Sequence, residues 1–81
     1  MQSSMTELKS VFVEALGIPA ELVTEDLAYN SHPRWDSTAH LQLVMALEAR
    51  YGCTLETEDM PDMSSVARAS EILSKYGVVW A

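Results

Sequence analysis

Apolar residues recur at helical spacing in three stretches of this 81-residue chain. In the first, Met5, Leu8, Phe12, Ala15 and Leu16, broadened by Val11, put one apolar face on a helix. Ser4 followed by Glu7 reads as a capping box, and Gly17 with Pro19 closes the element, so a helix is predicted over about 4–16. In the second, Leu41, Val44, Leu47 and Tyr51, with Leu43 alongside, form a buried stripe on a helix predicted over about 37–51. Asp36 is its N-cap and Gly52 its stop. Thr38, Gln42, Met45 and Ala49 fall on a separate, nearly uncharged stripe expected to face solvent. In the third, Val66, Ala69, Ile72, Leu73 and Tyr76 point inward from a helix over about 64–76, capped by Ser64 and ended by Gly77. Thr57-Glu58-Asp59-Met60 carries a cap residue and early acids before Pro61, which predicts a short helix over about 57–61.

A long connection, Ile18 to Asp36, separates the first two helices. Loops of this length are functional or anchored by their own side chains. Ile18, Leu22, Val23, Leu27 and Tyr29 are the expected anchors, and Pro33 makes His32 extended. The apolar tail, Val78 to Ala81, either folds back on the bundle or frays. The pattern predicts one all-α domain over 1–81, a four-helix bundle with three main helices, one minor third helix and a long loop between helices one and two.

Composition narrows the partners. Five Lys plus Arg stand against twelve Asp plus Glu, a net charge of −7. Nucleic acid and anionic membranes repel such a surface, so neither is an expected partner. The lone cysteine, Cys53, permits no internal disulfide and no zinc site, and is read as a small half-buried hydrophobe in a reducing compartment. No metal site is expected. Met1-Gln2-Ser3-Ser4 shows no basic or apolar leader pattern, and no helical apolar run is long enough to span a bilayer. The expectation is a cytoplasmic monomer.

Ser37 carries the sharpest chemistry. A serine opening a helix is exposed and lies where free N–H groups and the macrodipole favour a negative group. A phosphate ester there would be stabilised.

Asp36-Ser37 resembles the Asp-Ser-Leu signature of the acyl carrier proteins. Leu43-Val44-Met45-Ala46-Leu47-Glu48 is similar to that family's second helix. Leu16-Gly17, with Gly17 twenty residues before Ser37, and Val23-Thr24 and Ser64-Ser65-Val66 fall in the same register, without a gap from about Met5 to Tyr76. The resemblance implies a bundle of acyl-carrier type and a 4′-phosphopantetheine group on Ser37, making the chain a phosphoprotein that holds an acyl intermediate as a thioester. It implies no catalysis by the chain itself. A phosphopantetheinyl transferase makes the attachment, with Asp36 helping to present the site. Acyl-loading, acyl-transferring or condensing enzymes are the further partners, met by Thr38, His40, Gln42, Met45, Glu48 and Ala49. An acyl pocket is implied at Tyr29, Asn30, Val44, Leu47, Leu55, Met60 and Met63, with Asn30 either lining it or facing water.

The departures are informative. Thr38 replaces the family's usual leucine. Ala39, Gln42, Ala49 and Arg50 stand where primary fatty-acid carriers often have acids, while Glu56, Glu58, Asp59 and Asp62 gather charge around the third helix. Tyr29 and Asn30 bring polar atoms that must be hydrogen-bonded if buried. Short or polar cargo is therefore expected, in a specialised, polyketide-like or hybrid pathway. The alternatives are a fatty-acid synthesis carrier, an aminoacyl carrier, or an unmodified helical adaptor. Trp35 and His40 flank the serine as in a subgroup of stand-alone carriers. Trp35 is read as packing the loop against helix two, where it could also shield the arm. His40 is read as a surface histidine bonding to the preceding loop, or alternatively as a phosphate contact or a base. Arg34 is read as a solvated loop arginine, or alternatively as a phosphate contact.

Overall fold

The computed structural model describes residues 2–24 and 27–80. Helix α1 spans Met5–Leu16, α2 Ser37–Tyr51 and α3 Val66–Lys75. A two-residue strand, β1 (Gln2–Ser3), pairs in parallel with β2 (Val79–Trp80). The chain is thus mostly helical with little strand, consistent with an all-α acyl-carrier fold.

The boundaries follow from caps. Ser4 accepts a hydrogen bond from the Glu7 backbone N–H at 3.1 Å, which starts α1. Gly17 and Gly52, at φ +66° and +64°, end α1 and α2 in the left-handed region that glycine adopts without strain. A Cβ at either position would meet nothing within 4 Å, so backbone conformation rather than space selects glycine there.

One core joins the three helices. Leu8, Phe12 and Leu16 of α1 meet Leu43, Val44 and Leu47 of α2 and Ala69, Ile72 and Leu73 of α3. Trp35, Leu55 and Met63 enter it from the connections. Ile18, Val23 and Leu27 anchor the long loop as expected, whereas Leu22 and Tyr29 are exposed.

Four expectations need correction. The segment 57–61 is not a helix but a series of turns, closed by bonds from Asp59 N to Glu56 O and from Asp62 N to Asp59 O. Pro61 has no N–H to continue a ladder, and the Asp59 side chain is drawn inward to Lys75 and Tyr76. The bundle therefore has three α-helices among the described residues, not four. The N-cap of α3 is Ser65, which accepts from Arg68 N at 3.1 Å. Ser64 is instead engaged through its carbonyl by Tyr29 N. Finally, Leu41 is 58% exposed. Apolar residues surround α2 on nearly every side, so the pattern alone does not choose its inner face.

The tail folds back. Trp80 donates from Nε1 to Ser70 O at 3.0 Å and meets Tyr51 edge-on at 5.8 Å. Ala81 lies outside the described residues.

Candidate functional site

The start of α2 is built from a loop locked by its own side chains. Ser31 Oγ donates to the Ala28 carbonyl and accepts from the Ala28 N–H. Asn30 takes φ +66°, which asparagine tolerates better than most residues, and its N–H bonds to Trp35 O. His32 accepts from Arg34 N through Nδ1 and from Trp35 N through its carbonyl. These bonds deliver Trp35 into the core, where it is fully buried and edge-on to Phe12 at 5.6 Å.

Asp36 follows in extended conformation and accepts from Ala39 N at 2.9 Å, as an N-cap should. Ser37 is then the first residue of α2, exposed, and its hydroxyl makes no hydrogen bond among the described residues. The N–H groups of Ser37 and Thr38 likewise have no partner among the described residues. Two open donors beside an exposed hydroxyl, at the positive end of a helix, form a place for an anionic substituent.

His40 is half-buried rather than a simple surface residue. Trp35 Nε1 donates to its Nδ1 at 3.0 Å, and its Nε2 lies 2.7 Å from the Met60 carbonyl. Its bond to the preceding loop is as expected; the tie to the turn segment is new. Arg34 is exposed and makes no ion pair among the described residues.

Of the residues expected to meet partners, Thr38, Gln42, Met45 and Ala49 share the outer side of α2. Leu41 joins them, and with Met45 (61% exposed) makes this side apolar. Glu48 is half-buried, with Oε2 accepting from Leu55 N at 2.8 Å. Arg50 is paired with Glu7. The outer side of α2 thus offers no unengaged charge. Leu41 was legible in principle, because it lies one turn from Ser37, on the same side of the helix.

The seven positions of the implied acyl pocket differ in exposure. Val44, Leu47, Leu55 and Met63 are buried in the core, Met60 is half-buried, and Tyr29 and Asn30 are exposed. A pocket of ≈ 180 Å³ lies at Tyr29, His40 and Pro61. Asp59, counted from sequence among the surface acids, is buried and paired with Lys75 and Tyr76. Cys53 is half-buried, and burial, helped by Glu48, pushes its thiol up, away from the reactive thiolate. Among the described residues no cluster of His, Cys, Asp and Glu is placed to hold a metal ion, and no helix is long and apolar enough to cross a membrane.

The acyl carrier protein of Petrotoga mobilis (strain DSM 10674 / SJ95) is 29% identical to this chain over 69 residues, covering 85% of this chain and 81% of that relative. The chain is similar to an acyl carrier protein. Any stretch of that length in 81 residues includes Ser37. No protein-family model matches the chain. The three-helix core and the exposed serine opening α2 agree with this likeness.

Proposed function

We propose that the protein is an acyl carrier whose working group, 4′-phosphopantetheine, is joined to Ser37. The observation that carries the reading is the exposed Ser37 hydroxyl beside two open N–H groups, in a chain similar over most of its length to an acyl carrier protein. The residues at hand fit the group. Its phosphodiester would lie against the Ser37 and Thr38 N–H groups, at the positive end of α2. When bound, the group supplies a thiol that holds cargo as a thioester.

The chain's own part is presentation. Asp36 fixes the first turn of α2 and leaves the hydroxyl in solvent. No side chain of this protein needs to act as base, since a phosphopantetheinyl transferase takes the Ser37 proton as the oxygen–phosphorus bond forms and the nucleotide half of coenzyme A leaves. Acyl-loading and condensing enzymes are the further partners. The uncharged outer side of α2, with Thr38, Leu41, Gln42, Met45 and Ala49, supports partners that dock through apolar contact rather than through basic patches. That favours a specialised, polyketide-like or hybrid pathway in the cytoplasm. The filled core and the small pocket at Tyr29, His40 and Pro61 support short or polar cargo.

Incubation with a permissive transferase and coenzyme A, followed by intact-mass measurement, tests the reading. The wild type should gain one phosphopantetheine and Ser37→Ala none, with unchanged circular dichroism. A wild type left unmodified while a control carrier is modified removes the proposal. Efficient support of long-chain fatty-acid elongation would contradict the specialised role.

A further inference from the structure

His40 lies one turn past Ser37 and is held at both ring nitrogens, by Trp35 Nε1 and by the Met60 carbonyl. An indole N–H only donates and a carbonyl only accepts. The two partners therefore fix the imidazole as the neutral tautomer with its hydrogen on Nε2. Tyr29 closes a third side, edge-on to the ring at 5.0 Å.

Both anchors are tied to other elements. Trp35 is fully buried against Phe12 of α1. Met60 belongs to the turn segment that Asp59 ties to Lys75 and Tyr76 at the end of α3. One side chain thus fastens the first turn of α2 to the long loop on one side and to the turn segment on the other.

This turn has little else to hold it. Leu43 is the first fully buried residue of α2; between Ser37 and Gln42 only Ala39, which packs against the core, and His40 are half-buried. Helix starts lack intrahelical partners for their first N–H groups and fray unless capped. The direction of the Ser37 hydroxyl therefore rests mainly on two devices, the Asp36 cap and the His40 tie, with Ala39 the one apolar side chain of this turn that packs on the core among the described residues.

We propose that His40 is a positioning residue for Ser37, a neutral-imidazole latch that sets the serine's orientation for attack on the transferase-bound phosphate. The proposal rests on the reading of Ser37 as the attachment site. His40 need not touch the phosphate to act.

Three variants and one spectrum test it. His40→Phe keeps a ring but removes both hydrogen bonds. His40→Asn keeps an acceptor near the Nδ1 position, and His40→Gln keeps a donor near the Nε2 position. Transfer kinetics are measured with the carrier as varied substrate. The carrier being the substrate, an unfolded fraction only dilutes it, raising the apparent KM at constant kcat. The latch predicts the opposite split: kcat falls about tenfold in His40→Phe and about threefold in each single-bond variant, with KM unchanged, as expected when the lost hydrogen bonds matter more for the hydroxyl's orientation in the transition state than for binding. A rise in KM at constant kcat, or no change in either, overturns the positioning role.

The spectrum is independent of transfer. Long-range proton–nitrogen NMR of the wild type should show His40 protonated at Nε2 alone near neutral pH, and the Trp35 indole N–H protected from exchange. An Nδ1-protonated or averaged ring overturns the latch. A wild type that accepts no arm sinks the carrier reading, and the positioning role with it. The tautomer spectrum still decides whether the latch exists.

Discussion

Asp59 accepts a hydrogen bond from the Tyr76 hydroxyl, joining the turn segment after α2 to the C-terminal end of α3. Lys75 Nζ adds a bond of 2.7 Å to the other carboxylate oxygen, and Glu56 N donates back to the Tyr76 oxygen at 3.0 Å. The bonds from Lys75 and Tyr76 hold the Asp59 carboxyl below its ordinary value of 3.8. The bond to Asp59 correspondingly raises Lys75 above 10.5. A carboxylate depressed on folding contributes stability that is fully present above its unfolded value and lost as pH falls through the folded one. A raised lysine contributes stability below its unfolded value and loses it as pH rises through the folded one. Thermal melts should therefore show an acid loss below about pH 4 that Asp59→Asn largely removes, from a lower starting Tm. An acid limb identical in Asp59→Asn and wild type would refute this assignment.

Trp35 gives a graded prediction. Trp35→Ala empties the largest fully buried site and should cost about 3–5 kcal/mol in urea unfolding, enough to unfold much of a domain of ordinary stability. Trp35→Phe keeps most of the volume but removes the donor to His40, and should cost about 1–2 kcal/mol. Equal costs for the two would mean that volume is not what Trp35 supplies.

The Asp36 cap is separable from the serine it precedes. Asp36→Ala should lower stability by about 1 kcal/mol and Asp36→Asn by a few tenths, both read by denaturant midpoint at unchanged slope. No loss in Asp36→Ala would show that the helix start is held without its cap.

The outer side of α2 should be silent in stability and not in function. Leu41→Ala and Met45→Ala remove exposed groups and should stay within about 0.5 kcal/mol of wild type. Their transfer and condensation efficiency should fall, with little dependence on salt, because apolar docking is not screened. A steep salt dependence would place the docking charges elsewhere.

Much of the fold was legible because the termini of α1 and α2 are written in single residues. Ser4, Gly17, Asp36 and Gly52 have the cap geometries their types favour, and each boundary follows. The inner face of α2 was less legible. Leu41, Leu43, Val44, Met45 and Leu47 point apolar groups in several directions, and only the demand that Ser37 face out selects among them. The short third helix was misread because Thr57 to Met60 satisfies a local start rule, while the long-range capture of Asp59 by residues 75 and 76 overrides it. The fold-back of Val79 and Trp80 rests on pairing with Gln2 and Ser3, which no local pattern announces. The exposed helix start at Ser37 and the Asp36 cap were readable from position alone. The second contact of His40 was not, because that partner is a main-chain oxygen twenty residues away, and carbonyls carry no sequence identity.

Peptide mapping tests the central claim most directly. Trypsin cutting after Arg34 and Arg50 releases Trp35 to Arg50, in which Ser37 and Thr38 are the sole hydroxyls. After transfer from coenzyme A, fragment-ion spectra should place phosphopantetheine on Ser37. An adduct on Thr38 or on any other peptide, or none with an active transferase, would contradict the account.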